Sequence, residues 1–217
     1  DEDVAESIAA ELGFNDFTWF DAFDTQAYMM ADDFRCVVAF RGTELDNLRD
    51  WLTDLDVFKT AGPYGEVHHG FDSALDPIWQ DVENAVAAHS DKRVYITGHS
   101  LGAALATLAT ARFDEGYSLY TFGSPRVGDK VFATWFNARH QSYRFVNNND
   151  IVTRVPLVGY DHVGSLRHFT VKGKMWVEPG TWWVEYDRLM GRLQRIAADG
   201  ARDHDKSAYV DLVAGQI

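Results

Sequence analysis

The stretch Arg93-Val94-Tyr95-Ile96-Thr97-Gly98-His99-Ser100-Leu101-Gly102-Ala103-Ala104-Leu105-Ala106 decides how the chain reads. A short β-rich run enters Gly-x-Ser-x-Gly, and small residues continue to Arg112, which predicts a strand, a sharp turn and a helix. A bare Gly-x-Ser-x-Gly arises often by chance, as a glycine-rich turn with a capping serine. Strand–turn–helix is the setting in which a serine is held clear of a sheet for nucleophilic attack. Gly98 and Gly102 leave room for the close backbone approach that such a strained turn needs. The helix start also aims N–H groups and the positive end of its dipole at developing negative charge.

Strand and helix signals alternate outward from this point. Residues 26–30 and 35–40 read as strands about a turn at Asp32-Asp33, and residues 118–122 and 142–146 as two more, with helix-like sequence at 130–137 between them. Helical periodicity marks residues 4–12, ended by Gly13, and residues 72–89. It also marks residues 45–55, where Leu45, Leu48, Trp51, Leu52 and Leu55 fall on one face. Gly62-Pro63-Tyr64-Gly65 reads as a loop, and residues 166–171 and 174–177 as a hairpin around Gly173. A long helix near 182–198 and a short one near 206–213 close the chain. The pattern predicts one α/β domain over residues 1–217, with a mostly parallel central sheet, helices on both faces and antiparallel hairpins at the edges.

Composition narrows the function. Thirty-three acidic against 20 basic residues give a net charge of −13, which opposes phosphate backbones and excludes nucleic acid as an expected partner. The acidic excess fits a saline habitat, and drift or base composition fits it at least as well. Cys36, the single cysteine, lies in the apolar run Cys36-Val37-Val38-Ala39-Phe40, so no intrachain disulfide or thiolate metal site is expected and the residue reads as a small buried hydrophobe. No apolar run reaches the length of a transmembrane helix. A first residue of Asp1 leaves a removed signal and a trimmed chain equally open.

Ser100 needs a histidine to take its proton and a carboxylate to orient that histidine. Of eight histidines, His68, His69 and His89 precede the serine, His99 adjoins it and His140 precedes any good acid, so the order nucleophile, acid, histidine leaves His162, His168 and His204. Asp150 ends Phe145-Val146-Asn147-Asn148-Asn149-Asp150, at the carboxyl end of a strand where an orienting acid belongs. Asp161, Asp187 and Asp203 follow no clear strand.

Together these segments resemble the class 3 lipases, the fungal-type branch of the α/β-hydrolases, over roughly residues 28–213. The resemblance rests on Phe40-Arg41-Gly42-Thr43, Val67-His68-His69-Gly70-Phe71, residues 97–106, Tyr120-Thr121-Phe122-Gly123-Ser124-Pro125-Arg126-Val127-Gly128, and Asn148-Asn149-Asp150 followed by Val155-Pro156. It implies Ser100 as nucleophile, Asp150 as acid and His204 of Asp203-His204-Asp205 as general base. It also implies a structural histidine at His162 in Tyr160-Asp161-His162-Val163-Gly164, and an oxyanion hole made by the N–H groups of Thr43 and Leu101. Removing one such donor typically costs about 3 kcal/mol of transition-state stabilisation.

The resemblance further implies a cofactor-free, metal-free ester hydrolase, in first place a triacylglycerol lipase. A short-chain or feruloyl-type esterase, a phospholipase and a catalytically silent binding module are the alternatives. The helix at 45–55 stands where the family carries its lid, so Leu48, Trp51 and Leu52 are lid candidates; a fixed surface helix has the same pattern. Transient contact with a lipid interface and a secreted location are what the family suggests, although five acidic residues between Glu44 and Asp56 disfavour an anionic bilayer. Trp176, Trp182 and Trp183 lie between acid and base in the chain, as a substrate wall or as aromatic core.

Overall fold

A computed structural model describes residues 2–42, 58–62, 64–113, 116–193 and 202–216. Helix α1 (Glu2–Glu11) leads into strands β1 (Asp16–Ala22), β2 (Thr25–Ala31) and β3 (Arg35–Phe40). A small antiparallel pair, β4 (Lys59–Gly62) and β5 (Gly65–His68), precedes helix α2 (His69–Ala87). Then follow β6 (Arg93–His99), α3 (Leu101–Arg112), β7 (Ser118–Phe122), α4 (Lys130–Arg139) and β8 (Gln141–Asn147). A 3-10 turn (Val152–Arg154), β9 (Ser165–Phe169), β10 (Met175–Val177), α5 (Thr181–Leu193) and α6 (Lys206–Ala214) complete the order.

The main sheet runs β1-β2-β3-β6-β7-β8-β9-β10. Its middle, β3 through β9, is parallel, and β1-β2 and β10 add antiparallel edges, which is the expected α/β architecture. Parallel neighbours need crossovers, and α2, α3 and α4 sit in the chain where those crossovers fall. The two faces follow from alternation along each strand. Val38, Ile96 and Leu119 join Leu75, Ala104, Leu105 and Leu108 of α2 and α3 in one buried core. On the opposite face Phe122 stacks on Phe145 at 4.9 Å and meets Tyr209 of α6 edge-on at 6.1 Å. Helix α3 can lie tight against the sheet because ten consecutive residues, Gly102 to Ala111, are buried and nearly all are small.

Two readings need amendment, and a third falls outside the described residues. Strand β1 was not anticipated, because Phe17-Thr18-Trp19-Phe20 lacks clean alternation; it pairs with β2 from Asp16↔Ala31 to Ala22↔Thr25. Gly62 and Gly65, read as part of a loop, end β4 and begin β5 and pair with each other. The helix expected at 45–55, with the lid candidates Leu48, Trp51 and Leu52, lies outside the described residues, as does the end of the helix expected to reach 198. Cys36 is fully buried as expected, and burial pushes its thiol up to about 11.

Candidate active site

The site gathers at the carboxyl ends of β6, β7 and β8, where ligands bind in open α/β sheets. Ser100 connects β6 to α3 with φ 59° and ψ −127°, a strained conformation for any residue but glycine. Close packing makes that turn obligatory. A Cβ on Gly98 would fall 2.2 Å from the carbonyl oxygen of Gly102, and one on Gly102 would fall 2.2 Å from that of Phe40. A Cβ on Gly42 would meet the His99 carbonyl oxygen at 2.3 Å, so the end of β3 is pressed against the serine turn. The Ser100 N–H is anchored on the Phe122 carbonyl at 3.0 Å.

Ser100 occupies the N-cap position of α3, yet its side chain makes no capping hydrogen bond. Its Oγ is buried and has no partner among the described residues. An N-cap serine normally satisfies one of the open N–H groups of the first turn. Here the N–H of Leu101, the first helical residue, has no intrahelical acceptor by its position, and the strained backbone turns the hydroxyl away. Thr43, the other expected oxyanion donor, lies outside the described residues.

Asp150, His204 and Tyr209 form one buried network. His204 Nδ1 lies 3.0 Å from both carboxylate oxygens of Asp150. The Tyr209 hydroxyl donates to Asp150 Oδ2 at 2.6 Å, and the N–H of Val152 donates to Oδ1 at 2.9 Å. With Nδ1 committed to the carboxylate, His204 Nε2 is left as a buried nitrogen without a partner among the described residues. Burial, and then the Asp150 charge beside it, raise the Tyr209 phenol well above its ordinary range, so it stays a proton donor. Asp150 and His204 are 0% and 1% exposed, as expected of a dry acid–base pair.

Long-range contacts hold His204 in place. Asn147 Nδ2 donates to the Asp203 carbonyl at 3.0 Å, the Asn149 N–H donates to Asp203 Oδ2 at 3.1 Å, and the Tyr209 hydroxyl accepts the Asn147 N–H at 2.9 Å. The end of β8 thus carries both the acid and the clamp for the histidine. Asp205, not His204, caps α6, accepting the Ser207 hydroxyl at 2.7 Å and the Ser207 N–H at 2.8 Å, which hold its carboxyl below the ordinary range. His99 Nε2 donates to the His204 carbonyl at 2.7 Å, and the two rings stack at 4.5 Å. Burial, with the neighbouring His204 adding to it, drops His99 to about 4, so its ring stays neutral. A Cβ on Gly123, whose φ is +60°, would lie 2.8 Å from Asp150 Oδ2 and 2.9 Å from His204 Nδ1.

The other candidates are occupied elsewhere. His162 Nε2 lies 2.8 Å from the Thr153 carbonyl. His168 pairs with Asp187 at 3.0 Å, a second buried histidine–aspartate pair. Of the three tryptophans, Trp182 and Trp183 stand 66% and 54% exposed on α5 rather than in a core, and Trp176 packs on His168 and Trp183. Tyr209 and the bracing role of His99 had no signal in the sequence. Among the described residues no cluster of His, Cys, Asp and Glu is arranged to hold a metal ion.

A family model described as Lipase (class 3) matches residues 37–160, more than half of the chain. The chain belongs to the class 3 lipase family. A secreted mono- and diacylglycerol lipase A of Penicillium cyclopium is 34% identical over 175 residues, which cover 73% of this chain and 56% of that protein. A secreted mono- and diacylglycerol lipase 1 of Fusarium solani is 34% identical over 155 residues, covering 63% of this chain and 45% of that protein. The chain therefore spans about half the length of these curated relatives. Among solved structures, the Rhizomucor miehei triacylglyceride lipase superposes with a TM-score of 0.65 at 28% identity, covering 76% of this chain and 69% of that one. A triacylglycerol lipase whose catalytic centre is described as a serine protease triad superposes with a TM-score of 0.63 at 29% identity, covering 76% and 69%. The fold these class 3 lipases share with the chain is that of the α/β-hydrolases.

Proposed function

We propose that the chain is a carboxylic ester hydrolase acting on acylglycerols, with Ser100 as nucleophile, His204 as general base and Asp150 as the orienting acid. One observation carries the reading. A serine in a strained turn leaves its hydroxyl unused, while a histidine fixed through Nδ1 on a buried carboxylate leaves Nε2 unused. Both are the atoms that acyl transfer requires. The mono-, di- and triacylglycerol lipases among its relatives support acylglycerols as the substrate class.

In the proposed reaction Ser100 Oγ attacks the ester carbonyl as its proton passes to His204 Nε2. Charge on the carbonyl oxygen meets the Leu101 N–H and the positive end of α3, with the Thr43 N–H as the second proposed donor. Collapse expels the alcohol, which takes the proton from His204. Water then gives a proton to the same nitrogen and attacks the acyl-enzyme, which releases the fatty acid and restores Ser100. Hydrogen bonds between nucleophile and base are often loose in unliganded enzymes and tighten on substrate.

The test is turnover of glycerol esters and aryl esters of graded acyl length, with and without an emulsified interface, for the wild type and Ser100→Ala. Loss of the nucleophile is expected to lower turnover by about six orders of magnitude. A Ser100→Ala protein that folds and keeps its rate overturns the assignment. An intact protein that turns over no ester of any length points to a silent binding module.

A further inference from the structure

A second cavity, of about 290 Å³, opens beneath α5, and its chemistry reverses that of the chain as a whole. The protein carries a net charge of −13, yet Arg126, Arg144, Arg154 and Arg188 all line this one space. The carboxylate among its lining residues is Glu185, which is engaged with Arg188 at 2.7 Å. Glu178 and Asp161 act on Arg144 and Arg126 from farther out.

The arginines are not equivalent. Arg126 donates to the carbonyls of Arg154 and Pro156 at 2.5 and 2.6 Å, Arg154 to Asn149 Oδ1 at 2.9 Å, and Arg188 to the Asn148 carbonyl at 3.2 Å. These three brace the turn that carries Asp150. The Arg144 side chain makes no hydrogen bond or ion pair among the described residues, and its Nε is buried without a partner there. Burial, with Arg188 and Arg126 nearby, drops it to about 10, which still leaves it charged at neutral pH. A half-buried guanidinium with no carboxylate at hydrogen-bond distance among the described residues is a costly feature for a fold to keep.

His168 supplies the complementary group. Alternation along β8 and β9 brings Arg144, Val146, Leu166 and His168 to the same cavity. His168 is fully buried, and its Nε2 donates to Asp187, whose oxygens also accept the Val171 N–H at 3.2 and 3.3 Å. Its Nδ1 is therefore a lone pair, buried and unpartnered among the described residues, on a side chain that lines the cavity. Guanidinium donors facing a single acceptor fit an oxyanion that still bears one proton.

We propose that this cavity is a binding site for a phosphomonoester-type group, either inorganic phosphate or the headgroup of a phosphatidate. Arg144 and Arg188 bind its anionic oxygens, and the P–OH proton is donated to His168 Nδ1. The site is independent of the Ser100 reaction. It would tie occupancy of the cavity to the turn that holds Asp150.

Melting of the full chain in phosphate, sulfate and chloride at matched ionic strength tests the site. For a site of roughly 1 mM affinity, about 50 mM phosphate is expected to raise Tm by about 5 °C over chloride. Sulfate, which carries no proton at neutral pH, is expected to do less. Arg144→Met and Arg188→Gln are each expected to abolish most of the phosphate response, and the second keeps the test alive should the first fold poorly. Flotation with phosphatidylcholine vesicles, plain or containing phosphatidic acid, separates the two sources. Capture that needs both phosphatidic acid and Arg144 assigns a lipid headgroup, and a phosphate response without capture assigns the free ion. Responses that sulfate matches, or that survive in both variants, overturn the proposal, as does the absence of both a phosphate response and phosphatidate-dependent capture.

Discussion

Among the described residues stand two buried histidine–aspartate pairs at the same 3.0 Å separation, His204–Asp150 and His168–Asp187. By separation and burial alone they are indistinguishable. They differ in which ring nitrogen meets the carboxylate and in what stands at the other. His204 commits Nδ1, and its open Nε2 belongs to the cluster at the serine turn, where His99, the neighbour of Ser100, stacks on its ring. His168 commits Nε2 to Asp187 on α5, and its Nδ1 is left buried without a partner among the described residues, on a side chain that lines the arginine cavity. On the proposed roles the first pair moves a proton and the second helps to hold a charge. A histidine–carboxylate pair therefore says little about function until the far nitrogen has been followed to its surroundings.

The same substitution in each pair should separate the two roles most widely. Asp150→Asn is expected to lower turnover about ten-thousandfold, because the wrong tautomer of His204 is favoured. Asp187→Asn should leave turnover within about tenfold of wild type but cost about 3 kcal/mol of stability, as breaking a buried pair does. Ester hydrolysis and urea unfolding on both variants decide this. Equal losses of turnover would erase the functional distinction between the pairs.

A methyl group sharpens the comparison next. Gly123→Ala places a Cβ within 3 Å of both His204 and Asp150 at a φ of +60°, and a displacement of that size is expected to cost about a hundredfold in turnover. Gly173, at φ +73° near β9 and β10, has Leu212 Cδ2 as its nearest neighbour at 3.4 Å, so Gly173→Ala should show only backbone strain, about 1–2 kcal/mol. Tyr209→Phe comes third. It removes one hydrogen bond to Asp150 and one from the Asn147 N–H, for an expected tenfold loss of turnover and about 1–3 kcal/mol of stability. Full activity in that variant would show that the Val152 N–H and His204 alone suffice to hold the carboxylate.

What the sequence made legible follows from how local each requirement is. The Ser100 turn could be read directly because its steric demand falls on Gly98 and Gly102, two residues away on either side. Asp150 could be placed because a strand end is a sequence-visible position. His204 could not be chosen from spacing, and the family resemblance had to favour it over His162 and His168. The contacts that favour it, Asn147 to Asp203 and Tyr209 to Asp150, join residues 56 and 59 positions apart. The arginine cavity was invisible for the same reason. Arg126, Arg144, Arg154 and Arg188 come from a turn, a strand, a 3-10 helix and α5, and no window of sequence shows them together. Strand β1 was missed because its aromatic cluster only becomes a strand through pairing with β2.

The smallest expected effect concerns protons. Burial is the largest cause holding His99, His162 and His168 below the ordinary histidine value of 6.5, His99 at about 4 and His162 well below. In that window the unfolded chain binds protons that the folded chain refuses, so stability rises with pH. The contribution of these histidines is complete above the unfolded value near 6.5 and is lost as pH falls toward their folded values. Each group adds at most about 1.4 kcal/mol per pH unit to the slope. His99 flanks the first pair and His162 lies beside the cavity of the second, and glutamine can replace the hydrogen bond that each makes to a carbonyl. His99→Gln and His162→Gln should therefore flatten the acid limb of stability by about one proton each, read as urea midpoints between pH 4 and 7. Turnover should fall severalfold only in His99→Gln, whose ring packs on His204. If both variants keep the wild-type slope, these histidines titrate alike in the folded and unfolded chains, and burial at the two sites does not govern their protons.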